Sequence, residues 1–184
     1  GSPAVLSELS INGVFLNSHT CIRLSPVVNN LGFRLDSVLS FRQQVTKLKS
    51  TCFIKLRSIS KMRMFLTTKQ LQILVQAVVI SSLDYCNGLY FECNQSVINQ
   101  LQLIQNKACR VIFGLTKKDS VEEKLKSLHW LRVEQRIKFK ILLLVYKSLN
   151  GMAPVYLTEL FTHNIATRKQ RSSTLLIPRQ NLSC

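Results

Sequence analysis

The sequence predicts a mainly α fold, with about six helices, a small β element at the N-terminus and a basic tail at the C-terminus. Three observations lead there. From Ser40 onward, apolar residues recur at steps of three and four. Helix-ending or helix-starting residues, Gly114, Asn150-Gly151 and Pro154, fall between those runs. Before Ser40 the only apolar runs are short and β-prone, and strands that few and short do not make a stable sheet alone.

The elements follow in order. Ile11 to Leu16 and Cys21 to Leu24 are β-prone runs joined by the turn-like Asn17-Ser18-His19-Thr20, which predicts a hairpin. A third run, Leu31 to Leu35, follows Asn29-Asn30. Phe41, Val45, Leu48, Cys52, Leu56 and Ile59 then form one helical stripe, with Ser40 placed to cap its start. A second helix is capped by Thr67 or Thr68 and runs to Leu83. It is apolar nearly all round, and is therefore expected at the centre of the core. A third runs from about Ser96 to Phe113 and stops at Gly114. Ser120-Val121-Glu122-Glu123 reads as a capping box for a short fourth helix. A fifth runs from Arg132 to Leu149, and a sixth starts at Pro154 and reaches about Phe161. Three regions result: a β element over residues 1–36, a helical body over 37–163, and a basic tail over 164–184. The tail's Ser172, Ser173 and Thr174 favour a mobile arm. Its Leu175-Leu176-Ile177 run favours a segment docked on the helices.

Charge is the outlying feature. Twenty-five Lys and Arg stand against nine Asp and Glu, a net +16 over 184 residues. Such an excess opposes compaction and favours polyanionic partners. No acidic residue occurs between Asp36 and Asp84, whereas Arg42, Lys47, Lys49, Lys55, Arg57, Lys61, Arg63 and Lys69 all lie there. Most are expected on the flank opposite the apolar stripe. A solvated helix normally mixes signs, because like charges at i, i+4 are destabilising. A one-sign helix thus points to an anionic ligand. The fifth helix adds Arg132, Arg136, Lys138, Lys140 and Lys147, and the tail adds Arg168, Lys169, Arg171 and Arg179. Contacts of this kind go to phosphate and supply affinity rather than sequence choice. Phe41, Phe53, Phe139 and Tyr146 sit at core-like spacing, and Trp130 is expected as a packing anchor.

Other classes find little support. Metal-assisted phosphoryl transfer needs converging carboxylates, and the nine acids are scattered. Asp36 and Asp84 read as cap or turn residues, and His129 as a core or hinge histidine. The six cysteines include no CxxC pair, which argues against a zinc site. With no secretory signal visible, they are expected to be reduced, in a nuclear or cytoplasmic setting. The apolar stretch from Leu71 to Leu83 is too short for a membrane span, which needs about 20 residues. No cofactor is expected.

Several segments together resemble one family. These are Asn29-Asn30-Leu31-Gly32-Phe33-Arg34-Leu35-Asp36-Ser37 with Leu39-Ser40-Phe41, then Ser82-Leu83-Asp84-Tyr85-Cys86-Asn87. Leu101-Gln102-Leu103-Ile104-Gln105-Asn106-Lys107-Ala108 with Arg110-Val111 follows, then Ser127-Leu128-His129-Trp130-Leu131 and Arg136-Ile137-Lys138-Phe139-Lys140-Ile141-Leu142. Tyr146-Lys147-Ser148-Leu149-Asn150-Gly151, Ala153-Pro154-Val155-Tyr156-Leu157, Arg171-Ser172-Ser173 and Pro178-Arg179 complete the set. In this order they resemble the thumb and C-terminal region of LINE-type (non-LTR) retrotransposon reverse transcriptases of the chicken-repeat and related clades. The chain departs from the family pattern at Arg132, usually Pro, and at Cys109, usually Ala; the first leaves the start of the fifth helix less defined. The resemblance implies a thumb-like helical bundle beside the end of a polymerase palm, with the catalytic aspartates and the endonuclease lying upstream. It implies RNA or an RNA–DNA hybrid as the partner, without catalysis by these residues. A protein-interaction or self-association module adopted by a host is the alternative.

Overall fold

The computed structural model describes residues 14–17, 20–22, 25–163 and 176–178. Four short strands open it. β1 (Val14–Asn17) pairs antiparallel with β2 (Thr20–Ile22), as the first hairpin requires. β3 (Val27–Asn30) pairs antiparallel with β4 (Phe33–Asp36). The third run is therefore half of a second hairpin. Its turn is Leu31-Gly32, where both residues have positive φ (48° and 83°), as a two-residue turn of this hand demands.

α1 (Arg42–Met62) follows. Ser40 caps its start as expected, its hydroxyl accepting from the Arg42 N–H (3.5 Å), and Asp36 holds the residues just ahead of it. The Asp36 carboxylate accepts from the Ser40 N–H (2.8 Å), the Ser40 hydroxyl (3.1 Å) and the Phe41 N–H (2.9 Å). The Ser40 backbone N–H, above all, holds the Asp36 pKa below its ordinary 3.8. The stabilisation that the ionised carboxylate brings is complete above the ordinary carboxylate range and drains away as pH falls through the lowered pKa. Asp36→Asn is therefore expected to melt below the parent chain at neutral pH, with the gap closing in acid; melting across pH checks this.

A 3-10 turn (Arg63–Phe65) leads to α2 (Thr68–Val75), a π-helical segment (Gln76–Ile80) and α3 (Ser81–Asp84), which run on as one helix. Thr67 caps it: its hydroxyl accepts from the Gln70 N–H, and Gln70 Oε1 accepts from the Thr67 N–H. A 3-10 turn (Asn87–Tyr90) precedes α4 (Gln95–Phe113), which Gly114 ends in the left-handed conformation (φ 68°). α5 (Glu122–Ser127), α6 (Val133–Leu149) and α7 (Val155–Thr158) complete the helices, six in all among the described residues when 68–84 is counted once. α5 lacks the expected capping box. β5 (Phe161–His163) pairs antiparallel with β6 (Leu176–Pro178). The rest of the tail, 164–175 and 179–184, on which the mobile-arm and helix-docked readings fall, lies outside the described residues.

The centre of the core is α4, not the 68–84 helix. α4 packs against α1, α2, α5 and α6 and buries nine residues, from Val97 and Ile98 to Val111 and Ile112. The 68–84 helix buries five, Leu71, Val75, Val79, Ile80 and Leu83, and leaves Ile73 exposed. Phe33, Phe41 and Tyr90 meet with ring centroids 5.7–5.8 Å apart, seating the second hairpin on the start of α1. Trp130 is buried, as expected of an anchor.

A polar network ties the middle of α4 to the start of α6. Buried Gln105 donates from Nε2 to the Leu131 carbonyl (2.8 Å) and accepts at Oε1 from Gln102 Nε2 (2.9 Å). Gln102 Oε1 accepts from the Val133 N–H (3.0 Å). That bond satisfies a donor at the first turn of α6, fixing a start that Arg132 alone leaves undefined. Among the described residues, no helix is long and apolar enough to cross a membrane.

Candidate nucleic-acid interface

α1 carries six cations and no acid, but they do not share one face. Lys49, Phe53, Arg57 and Lys61 form a row at steps of four, on one flank of the helix. Lys47 and Lys55 lie on the other flank. Lys55 is turned inward: its ammonium donates to the Val78 carbonyl (3.2 Å) and to the Ser82 hydroxyl (3.3 Å), both on the helix that holds the π segment. A π turn leaves its carbonyls in irregular register, and this lysine satisfies one of them. Lys55→Ala is expected to lower stability by about 1–3 kcal/mol, as for a lost charged hydrogen bond. Nucleic-acid affinity should change little; a denaturant melt beside a binding titration checks both.

The Arg57 flank faces a groove of about 620 Å³ between α1 and α4, lined by Ser50, Phe53, Ile54, Arg57, Lys61 and Lys107 among others. No carboxylate lines it. Lys107 belongs to α4 and lies in a second acid-free interval, between Glu92 and Asp119. The packing of α4 on α1 thus sets two acid-free stretches side by side. Counting acids along the whole chain, rather than up to Asp84 alone, reveals the second interval in the sequence.

The other expected cations are dispersed. Arg42 is exposed at the first turn of α1. Arg63 lies over the C-terminal end of α4, its guanidinium against Gly114 where a Cβ would otherwise sit. A cation there faces the negative end of the helix dipole. Lys47 lines a cleft of about 370 Å³ with Gly32, Thr51, Ser82 and Tyr85. Lys69 lines a separate groove with His129, Trp130 and Arg136. Arg136 is engaged by Asp84, through Nε–Oδ1 at 2.9 Å and a second Nη2–Oδ2 contact. Asp84 is thus an anchor for α6 rather than a cap. Lys138 pairs with Glu134 at 2.7 Å, a hydrogen bond that lowers the glutamate's pKa. Lys140 is exposed beside Phe139. Arg168, Lys169 and Arg171 lie outside the described residues.

Three ion pairs occur among the described residues, on Arg132, Arg136 and Lys138; none involves α1 or α4. The groove's cations therefore meet no carboxylate of the described chain. No family model, curated protein or solved structure matches the chain. The groove's own lining sets its chemistry.

That chemistry is electrostatic. Arg57 offers a planar fork for phosphate, and Lys61 and Lys107 supply point charges across the groove. Ser50 and Ser60 add hydroxyls, and half-exposed Phe53 offers a ring edge beside them. Of the aromatics expected in the core, Phe41 is buried, whereas Phe53, Phe139 and Tyr146 are exposed. His129 is exposed too, in the left-handed conformation (φ 55°) that closes α5, so it is not a core residue. Among the described residues, no three His, Cys, Asp or Glu side chains gather as a metal site. Burial pushes the Cys52 and Cys109 thiols up from their ordinary pKa, which disfavours the reactive thiolate.

Proposed function

We propose that the chain binds nucleic acid without sequence choice, holding the phosphates of RNA or an RNA–DNA hybrid in the groove between α1 and α4. The observation that carries this reading is the convergence of Arg57, Lys61 and Lys107 from two acid-free stretches, with no carboxylate on the groove. Like charges brought this close repel one another, and a polyanion relieves that repulsion. The reading also draws on the resemblance to reverse transcriptase thumbs carried by the chain's own motifs. On it, the chain is a fragment or a domesticated relic of a LINE-type enzyme. It works in a nuclear or cytoplasmic, reducing compartment, and these residues take no catalytic step.

The test is a titration of the whole chain into labelled RNA–DNA hybrid at several salt concentrations. Log affinity is expected to fall linearly with log salt, losing about 0.7–0.9 per phosphate neutralised. No binding at low salt, or tight binding indifferent to salt, would sink the proposal.

A further inference from the structure

The turn between α1 and α2 holds two large apolar side chains out in water. Met64 and Phe65 are 90% and 85% exposed, and no residue of the 3-10 turn Arg63–Phe65 is buried. The turn is nonetheless fixed at both ends. Before it, the Arg63 guanidinium lies against Gly114, at the end of α4. After it, Leu66 packs on the core, and Thr67 and Gln70 close the cap of α2. Two adjacent side chains this exposed contribute nothing to the core. A turn already fixed presents them to a ligand with little ordering cost on binding.

The position of the turn selects what it meets. The groove lies between α1 and α4, with Lys61 and Lys107 on its two walls, and Arg63 on Gly114 joins the same two helices just beyond them. Met64 stands three residues past Lys61, about one helical turn, and so at the groove's end. No acid occurs between Asp36 and Asp84, and exposed Lys117 and Lys118 follow closely on Gly114. Asp119 beside them is engaged by the Thr116 N–H and hydroxyl. We propose that this tip stacks on an unpaired base of the strand whose phosphates occupy the α1–α4 groove; the proposal rests on the nucleic-acid reading of that groove. Base faces are the largest apolar surface that a nucleic acid offers, and in a duplex they are covered except at an end or an opened step. A Phe ring stacks on any base, because every base has a π face, and an unbranched Met adapts its shape beside it. The tip thus favours a junction between hybrid and single strand over hybrid alone, without reading sequence.

The probes are two RNA–DNA hybrids with single-stranded RNA overhangs of equal length, one bearing its bases and one abasic, so that both present the same phosphates. Binding of the whole chain is read by fluorescence anisotropy at one moderate salt concentration. The overhang with bases is expected to bind about tenfold tighter. Met64→Gln/Phe65→Gln should erase that margin with its circular dichroism unchanged, and Phe65→Trp should keep it. Arg57→Gln/Lys61→Gln/Lys107→Gln should weaken both overhangs alike and keep the margin, so the tip and the groove fail separately. Equal binding of the two overhangs by the parent chain would overturn the proposal and leave the groove standing. A double variant that keeps the margin would overturn it too, and binding of neither overhang at low salt would overturn both readings. Loss of phosphatidylserine-vesicle binding in a double variant whose margin is intact would overturn it in favour of a membrane surface. A concentration-dependent dimer that the double variant abolishes, again with the margin intact, would overturn it in favour of self-association.

Discussion

Replacing Arg57, Lys61 and Lys107 together by Gln should cost most of the chain's affinity for nucleic acid while leaving its fold in place. Three phosphate contacts removed lower the slope of log affinity against log salt by about 2–3, which near 50 mM salt is a loss of about three to four orders of magnitude. The three side chains lie on one groove and have no ion-pair partner among the described residues, so little stability goes with them. Exposed substitutions of this kind usually move stability by less than about 0.5 kcal/mol. A matched triple variant, Lys69→Gln with Lys138→Gln and Lys140→Gln, removes the same charge from other faces and controls for net charge. It should keep more of the affinity. Equal losses in the two variants would mean that the whole cationic surface, and not the α1–α4 groove, attracts the ligand.

The second large effect falls on stability. Gln105→Ala removes the donor to the Leu131 carbonyl and the acceptor for Gln102, at a fully buried position. A buried polar group left without its partner costs about 1–3 kcal/mol, and the cavity left by the side chain adds to it. In a domain of this size each kcal/mol moves Tm by about 2–4 °C. The variant should therefore melt well below the parent, and hydrogen exchange should quicken first at the start of α6, where Gln102 holds the Val133 N–H. A Gln105→Ala chain that melts with the parent would show that the network is incidental to the junction of α4 and α6.

Helix boundaries were legible because their signals are local. Gly114 ends α4 in the left-handed conformation that glycine adopts freely, and Pro154 sits just ahead of α7. The strand at Val27–Asn30 was not legible, because only Val27 and Val28 of its four residues are β-prone, and the turn falls on Leu31-Gly32 inside the expected third run. Composition misplaced the core. The 68–84 helix is rich in apolar residues, but one of its faces has no neighbour, whereas α4 takes Gln105 inside because its amide is fully partnered. Spacing also could not tell which apolar stripe of α6 is packed, and Phe139 and Tyr146 belong to the open one. At the candidate interface, the acid-free interval was plain in the sequence. The inward turn of Lys55 was not, nor the capture of Arg136 by Asp84, 52 residues away. Both depend on which helices become neighbours, and so does the arrival of Lys107 beside Arg57 and Lys61.

The most direct measurement of the central claim is photocrosslinking of the whole chain to an RNA–DNA hybrid carrying 5-bromouridine, followed by mass spectrometry of the crosslinked peptides. Crosslinks are expected on the Ser50–Lys61 stretch of α1, with Phe53 the nearest aromatic, and on the Leu103–Arg110 stretch of α4. Adding salt should remove both together. Crosslinks confined to α6 or to the C-terminal tail, with α1 and α4 unmarked, would contradict the assignment of the groove as the nucleic-acid interface.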